Sequence, residues 1–209
     1  MLELQYFGAN CIKLVTKTAS LTVDDNLSDL GLKSVTKSED IALFSSQQNS
    51  HASDARLAID SPGEYEVSDI SIQGIPARAH MGEPKTNGAI VYKIIADNMR
   101  IGVLGHIDPD LSDAQLESLG TVDVLIVPVG GHGYTLDPVG VLKLIKKIEP
   151  KLVIPTHYAD KSVKYEVPQL ELSEVLKELA MEPKDTVAKL KLKAADLSET
   201  TQLIILERQ

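Results

Sequence analysis

Histidine changes charge near neutral pH and is the commonest protein ligand of transition metals. This sequence of 209 residues contains five: His51, His80, His106, His132 and His157. Each stands at or just beyond the end of an apolar run that reads as a strand. One such histidine is ordinarily a polar surface or hydrogen-bonded core residue. Five in the same relation to strand ends form a pattern, because loops leaving one edge of a sheet system gather their side chains into one cleft. Converging imidazoles are what metal-assisted hydrolysis requires, since an ion held by them lowers the pKa of its bound water to ~7.

The elements that must deliver these residues fall into two β-rich blocks, each finishing in a helix-bearing segment. Leu2–Phe7, Ile12–Thr16 and Leu21–Val23 read as short strands in hairpin order, turning at Gly8-Ala9-Asn10 and at Lys17–Ser20. Ile41-Ala42-Leu43-Phe44 reads as a buried strand that delivers the polar loop Ser45–Ser50. In the second block Ala89–Ala96, Met99–Leu104, Val122–Val129 and Lys151–Pro155 read as core strands. Ser112 and Gln115 form a capping box for a short helix that Gly120 stops. Asp137-Pro138 opens a second helix, in which Val141, Leu144, Ile145 and Ile148 repeat at helical spacing until Glu149-Pro150. Leu172, Val175, Leu176 and Leu179 define a third, and Val187–Lys193 and Gln202–Glu207 read as closing strands. The polar segment Asp160–Gln169 admits three readings, a lid, an interface strand or an exposed connection, of which the last is the ordinary case. No linker divides the chain, so residues 1–209 are expected to form a single domain.

Composition narrows the partners. With 43% hydrophobic and 24% charged residues the chain has the make-up of a globular protein with a sizeable core. A net charge of −9, no Trp and only two Phe argue against nucleic acid, which needs cationic surface and stacking platforms. No apolar run approaches the ~20 residues that span a bilayer, so no membrane partner is expected. The single cysteine, Cys11, lies in an apolar stretch and has no partner for an internal disulfide, which suits a reducing, cytoplasmic compartment. A small molecule is the expected partner.

Three motifs together carry a resemblance. Ser61-Pro62-Gly63-Glu64-Tyr65-Glu66-Val67 looks like a Gly-Pro-Gly-Glu-Tyr-Glu signature. Val127-Pro128-Val129-Gly130-Gly131 with Tyr134-Thr135-Leu136-Asp137 looks like a Pro-x-Gly-Gly…Thr-x-Asp segment. Ile148-Glu149-Pro150-Lys151-Leu152-Val153-Ile154-Pro155-Thr156-His157-Tyr158 looks like a Pro-Lys-x-Val-Ile-Pro-x-His-Tyr stretch. Over nearly its whole length the chain resembles the metallo-β-lactamase superfamily, in particular the small Zn-dependent hydrolases similar to ascorbate-6-phosphate lactonase. The resemblance implies an α/β fold, the αββα four-layer sandwich of two mixed β-sheets flanked by helices. Asp24 falls where that branch has an Asp-Pro pair, with Asp25 in place of the proline.

The metal motif departs from the family. Where the superfamily carries His-x-His-x-Asp-His, this chain has Ser46-Gln47-Gln48-Asn49-Ser50-His51, and His106 stands beside Gly105 where a bridging Asp is expected. Hydroxyl and amide oxygens are poor zinc ligands, and imidazole does not readily bridge two ions as carboxylate does. The resemblance therefore implies at most one ion, Zn²⁺ or alternatively Mn²⁺ or Fe²⁺, surrounded by His51, His106 and His157. His80 is a fourth ligand or a proton shuttle beside His106, and His132 and Tyr134 are substrate contacts. Asp108 or Asp110 either orients an imidazole or, as is more common, is a simple loop carboxylate. Three functions follow as alternatives. The first is a hydrolase opening a lactone, ester or phosphoester. The second is a metal-free ligand-binding or regulatory module in which Ser46, Gln48 and Ser50 hydrogen-bond a ligand where metal sits in relatives. The third is a serine hydrolase using Ser45, Ser46 or Ser50 with His51 or His106 as base.

Overall fold

Buried and half-buried residues alternate from the first strand, β1 (Leu2–Gly8), whose Leu2, Leu4 and Tyr6 turn inward. A computed structural model describes residues 1–46, 54–83 and 86–209. The strands β2 (Cys11–Val15), β3 (Ser20–Val23), β4 (Ile41–Leu43) and β5 (Leu57–Ile59) follow β1, and β6 (Gly63–Val67), β7 (Ile70–Ala77), β8 (Ala89–Ala96) and β9 (Met99–Val103) come next. Helix α1 (Asp113–Leu119), β10 (Val124–Pro128), α2 (Pro138–Ile148), β11 (Leu152–Thr156) and α3 (Leu172–Leu179) then alternate, and β12 (Asp185–Val187), β13 (Leu190–Leu192) and β14 (Gln202–Leu206) close the chain.

These strands make two mixed sheets, one of order β13-β1-β2-β3-β4-β5 and one of order β12-β14-β11-β10-β9-β8-β7-β6. Inward residues of both, such as Leu4, Ile12, Leu43, Tyr92 and Ile126, form the core between the sheets. A second core lies on the outer face of the larger sheet, where Leu125, Val127 and Val153 meet Leu119 of α1, Leu144 of α2 and Val175 of α3. The result is the expected α/β sandwich, with the described α-helices packed on the larger sheet. Strand β10 is buried on both faces, which is why its sequence is a continuous apolar run.

The helix signals correspond to real caps. Ser112 and Gln115 make the reciprocal bonds of a capping box, and the Asp137 side chain accepts from the Gly140 N–H with Pro138 in the first turn. The closing strands differ from expectation. The stretch read as one strand, Val187–Lys193, splits between sheets: β12 pairs with β14, while β13 pairs with β1. Both are largely exposed edge strands, so no alternation marks where one ends. The strands β5, β6 and β7 also went unread, β6 because half-buried and exposed residues alternate in it without a buried face.

One ion pair anchors the start of β10. Burial raises the Asp123 carboxyl, but hydrogen bonds from the Arg100 guanidinium and backbone N–H outweigh it and hold the group below the usual carboxylate value. A group depressed on folding stabilises the fold fully above its unfolded value and ceases to as pH falls through the folded one. Urea midpoints should therefore decline as pH drops below about 4, and Asp123→Asn should flatten that decline while lowering the midpoint at neutral pH.

Candidate functional site

Four of the five histidines lie among the described residues, each beyond a strand of the larger sheet: His80 after β7, His106 after β9, His132 after β10 and His157 directly after β11. His51, Gln48 and Ser50 lie outside the described residues. The loops after β7 and β9 are stitched together. Ala79 and Ile107 form a β-bridge, and the His80 N–H donates to the His106 carbonyl over 2.8 Å. The rings of His106 and His157 meet edge to face, with centroids 4.7 Å apart at 89°, and Tyr134 lies 5.0 Å from His106 and 5.8 Å from His157.

Two cavities adjoin at Tyr134. One of about 240 Å³ is lined by Ser46, His80, His106 and Tyr134. The other, of about 250 Å³, is lined by Tyr134, His157, Tyr165, Gln169 and Asn26 among others. His132 is exposed and lines neither. Asp108 and Asp110 are engaged elsewhere, in ion pairs with Arg78 and Lys143, and among the described residues neither is bonded to an imidazole. The Asp160–Gln169 segment is less exposed than an ordinary connection. Its Val163 and Gln169 are buried, and it forms one wall of the second cavity.

His157 is held from the smaller sheet. Its backbone, in the left-handed region at φ 54°, donates its N–H to the Ala9 carbonyl over 2.7 Å. The neighbouring Thr156 hydroxyl donates to the Asn10 side-chain oxygen over 2.6 Å. Asn10 in turn donates to Asp24 over 2.7 Å, and Asp24 accepts both the backbone N–H and the hydroxyl of Ser45. This buried chain fixes the loop that carries Ser46 against the end of β11. Gly105 completes the junction. A Cβ there would lie 2.0 Å from the Ser45 Oγ, so only glycine lets the strand bearing His106 come this close. Sequence reading took Gly8-Ala9-Asn10 as a plain turn. Its one unusual mark, an Asn opening an apolar strand, was the available signal.

Burial disfavours the charged form of His106 and His157. It pushes His157 down to about 3, with the nearby His106 contributing in the same direction and the hydrogen bond to the Gln169 amide oxygen opposing. His106 is lowered mainly by burial, which the Asp24 charge and the Tyr134 backbone partly offset. The Nδ1 atoms of His80 and His106 are both buried without a hydrogen-bond partner among the described residues.

Among the described residues the donor set does not supply a two-ion centre. The Asp24 carboxylate is already occupied by three donors. Among the described residues, no three His, Cys, Asp or Glu side chains are arranged to hold an ion. No helix of the described residues is long and apolar enough to cross a membrane.

Comparison with known proteins bears on the frame that carries this site. A family model described as a β-lactamase superfamily domain matches residues 3–157. A UPF0173 metal-dependent hydrolase of Thermococcus onnurineus is 30% identical over 100 residues, which are 46% of this chain and 44% of that protein. A UPF0173 protein of Pyrococcus furiosus is 33% identical over 96 residues, again 46% and 44%. The matched segment thus spans less than half of these curated relatives. A Thermotoga maritima protein, whose name proposes a Zn-dependent hydrolase of the metallo-β-lactamase superfamily, superposes with a TM-score of 0.76 at 24% identity, covering 99% of this chain and 100% of that one. A metallo hydrolase of Ignicoccus hospitalis gives 0.63 at 17% identity, covering 99% and 95%. At these identities the solved structures show a shared fold. The finer likeness to ascorbate-6-phosphate lactonase rests on the sequence motifs alone.

Proposed function

The chain belongs to the β-lactamase superfamily, and from that premise we propose that its histidine-lined cleft binds a small polar molecule through imidazoles and hydroxyls, without the paired ions of a two-metal hydrolase. The observation that carries this reading is the pair of buried Nδ1 atoms of His80 and His106, without a hydrogen-bond partner among the described residues, on side chains that line a cavity of about 240 Å³. A buried polar atom left unpaired costs roughly 1–3 kcal/mol, so two of them on residues that line one space favour a polar occupant. Ser46 and Tyr134 add hydroxyls to the same wall. Removing several metal ligands together also suits a binding role, because a partly assembled cluster of charged ligands is costly to bury.

A second reading keeps the hydrolase and a single ion held by imidazoles, with a lactone, ester or phosphoester as substrate. The convergence of His106 and His157, whose ring centroids lie 4.7 Å apart, is the observation that favours it. The relative named as a metal-dependent hydrolase supports it at the level of the superfamily.

Metal content and thermal stability separate the two. On the binding reading, protein purified without chelator carries well under one equivalent of Zn, Mn or Fe. A panel of phosphorylated sugars, sugar lactones and nucleotides contains a compound that raises Tm, by an amount corresponding to about 2.7 kcal/mol at a hundredfold excess over Kd. Tyr134→Ala should abolish that rise. About one ion per chain, lost in a His106→Ala/His157→Ala variant, would establish the single-ion hydrolase instead.

A further inference from the structure

We infer that Gln169 is a positioning residue that fixes the tautomer of His157, so that the imidazole offers its Nε2 lone pair to whatever enters the second cavity. The inference starts from the orientation of the Gln169 amide. Its Nε2 donates to the Val167 carbonyl over 2.7 Å, and a carbonyl can only accept. The amide oxygen is therefore the atom that faces His157, 3.2 Å from Nδ1. An amide oxygen has no proton to give, so the Nδ1 of His157 must carry one. In a neutral ring the second nitrogen is then unprotonated, and Nε2 is an acceptor or a ligand.

The surrounding backbone is built around this contact. Gly130 leaves the space that Gln169 fills: a Cβ there would stand 2.0 Å from the Gln169 Oε1 and 2.2 Å from the His157 carbonyl oxygen. The Leu170 N–H donates to the Gly130 carbonyl over 2.8 Å, and the Ala159 N–H to the Leu170 carbonyl over 2.9 Å, which secures both sides of the glutamine. The Tyr165 ring packs against His157, tilted by 40° with centroids 5.0 Å apart, and its hydroxyl donates to the Tyr158 carbonyl. The ring is thus clamped on one face and hydrogen-bonded at one nitrogen.

This deepens the binding proposal by naming the chemistry at one end of the site. Resting on that reading, it assigns the group that meets His157 to the class of hydrogen-bond donors, hydroxyl, amine or ammonium. The two stand or fall separately, because the tautomer is a property of the ligand-free protein.

The test is the ¹⁵N spectrum of the histidine rings in chelator-treated, ligand-free protein at neutral pH, with the His157 signals assigned by their loss in His157→Ala. The wild-type ring should show Nδ1 protonated and Nε2 unprotonated. Gln169→Leu should lose that pattern in favour of the Nε2–H form, while Gln169→Glu, which keeps an acceptor at the same place, should retain a protonated Nδ1. The proposal is overturned by an Nε2–H ring in the wild type, by an unchanged pattern in folded Gln169→Leu, or by loss of the pattern in Gln169→Glu. Should Gln169→Leu fail to fold, the wild-type spectrum and the glutamate variant decide.

Discussion

Asp24→Ala is expected to destabilise the protein by at least about 3 kcal/mol and to loosen the candidate site with it. The carboxylate accepts from the Ser45 backbone N–H over 2.7 Å, from the Ser45 hydroxyl over 2.6 Å and from the Asn10 amide over 2.7 Å, all buried. Truncation strands three donors where water does not reach, and each costs roughly 1–3 kcal/mol when left unpaired. Domains of this kind are stable by about 5–15 kcal/mol in total, so the loss is a large fraction. Ser45→Ala removes only one of the three bonds and should cost about 1 kcal/mol. In a double-mutant cycle the two changes should fall short of additivity, because both remove the same hydroxyl-to-carboxylate contact. Chemical denaturation measures the energies. Hydrogen exchange at the Ser45 amide and at the His157 amide, which is bonded to Ala9, reports whether the junction opens at both ends. Independent, additive losses with His157 still protected would show that Asp24 does not tie the two loops together.

That junction also marks where sequence reading stops. The strand ends carrying His106 and His157 were legible because each follows an apolar run rich in β-branched residues and buried on both faces, and such runs have few other uses, whereas β7, which leads to His80, went unread. The helices were legible through local chemistry, the Ser112–Gln115 box and the Asp137 cap, which act within four residues. Gln169, Asn10 and the wall made by residues 160–169 were not, because a polar residue in a loop is exposed or buried according to what stands opposite it, and here the partners are 12 to 146 positions away in the chain. The residue types of the Ser46–His51 segment set the expectation of an altered metal motif. What stands in its place depends on tertiary contacts: the same Ser45 hydroxyl that was a candidate nucleophile is committed to Asp24. A donor held by a buried carboxylate is poorly placed for attack on a substrate, and this weakens the serine route.

The other large effect lies far from the cleft, and its value is that it separates stability from function. Lys13, in the middle of β2, is mostly buried, and its ammonium meets the buried Asp40 carboxylate at 2.6 Å. Asp40 also accepts the Lys37 N–H over 2.8 Å, which closes the turn leading into β4. An ion pair out of water owes little to its own attraction once desolvation is counted, yet breaking it from one side leaves the other charge with nothing to face. Asp40→Ala should therefore cost about 3–5 kcal/mol, whereas Lys13→Met/Asp40→Leu, which removes both charges and keeps the volume, should lie far closer to the wild type. Because the pair is buried, the cost of Asp40→Ala should change little between low and high salt, unlike that of an exposed pair. The double variant should also keep any ligand-induced rise in Tm, since neither residue lines the cavities beside the histidines. A double variant as unstable as Asp40→Ala would mean that the lysine and aspartate act through the turn geometry and not through their charges, and the hydrogen bond from Lys37 would then be the contact that matters.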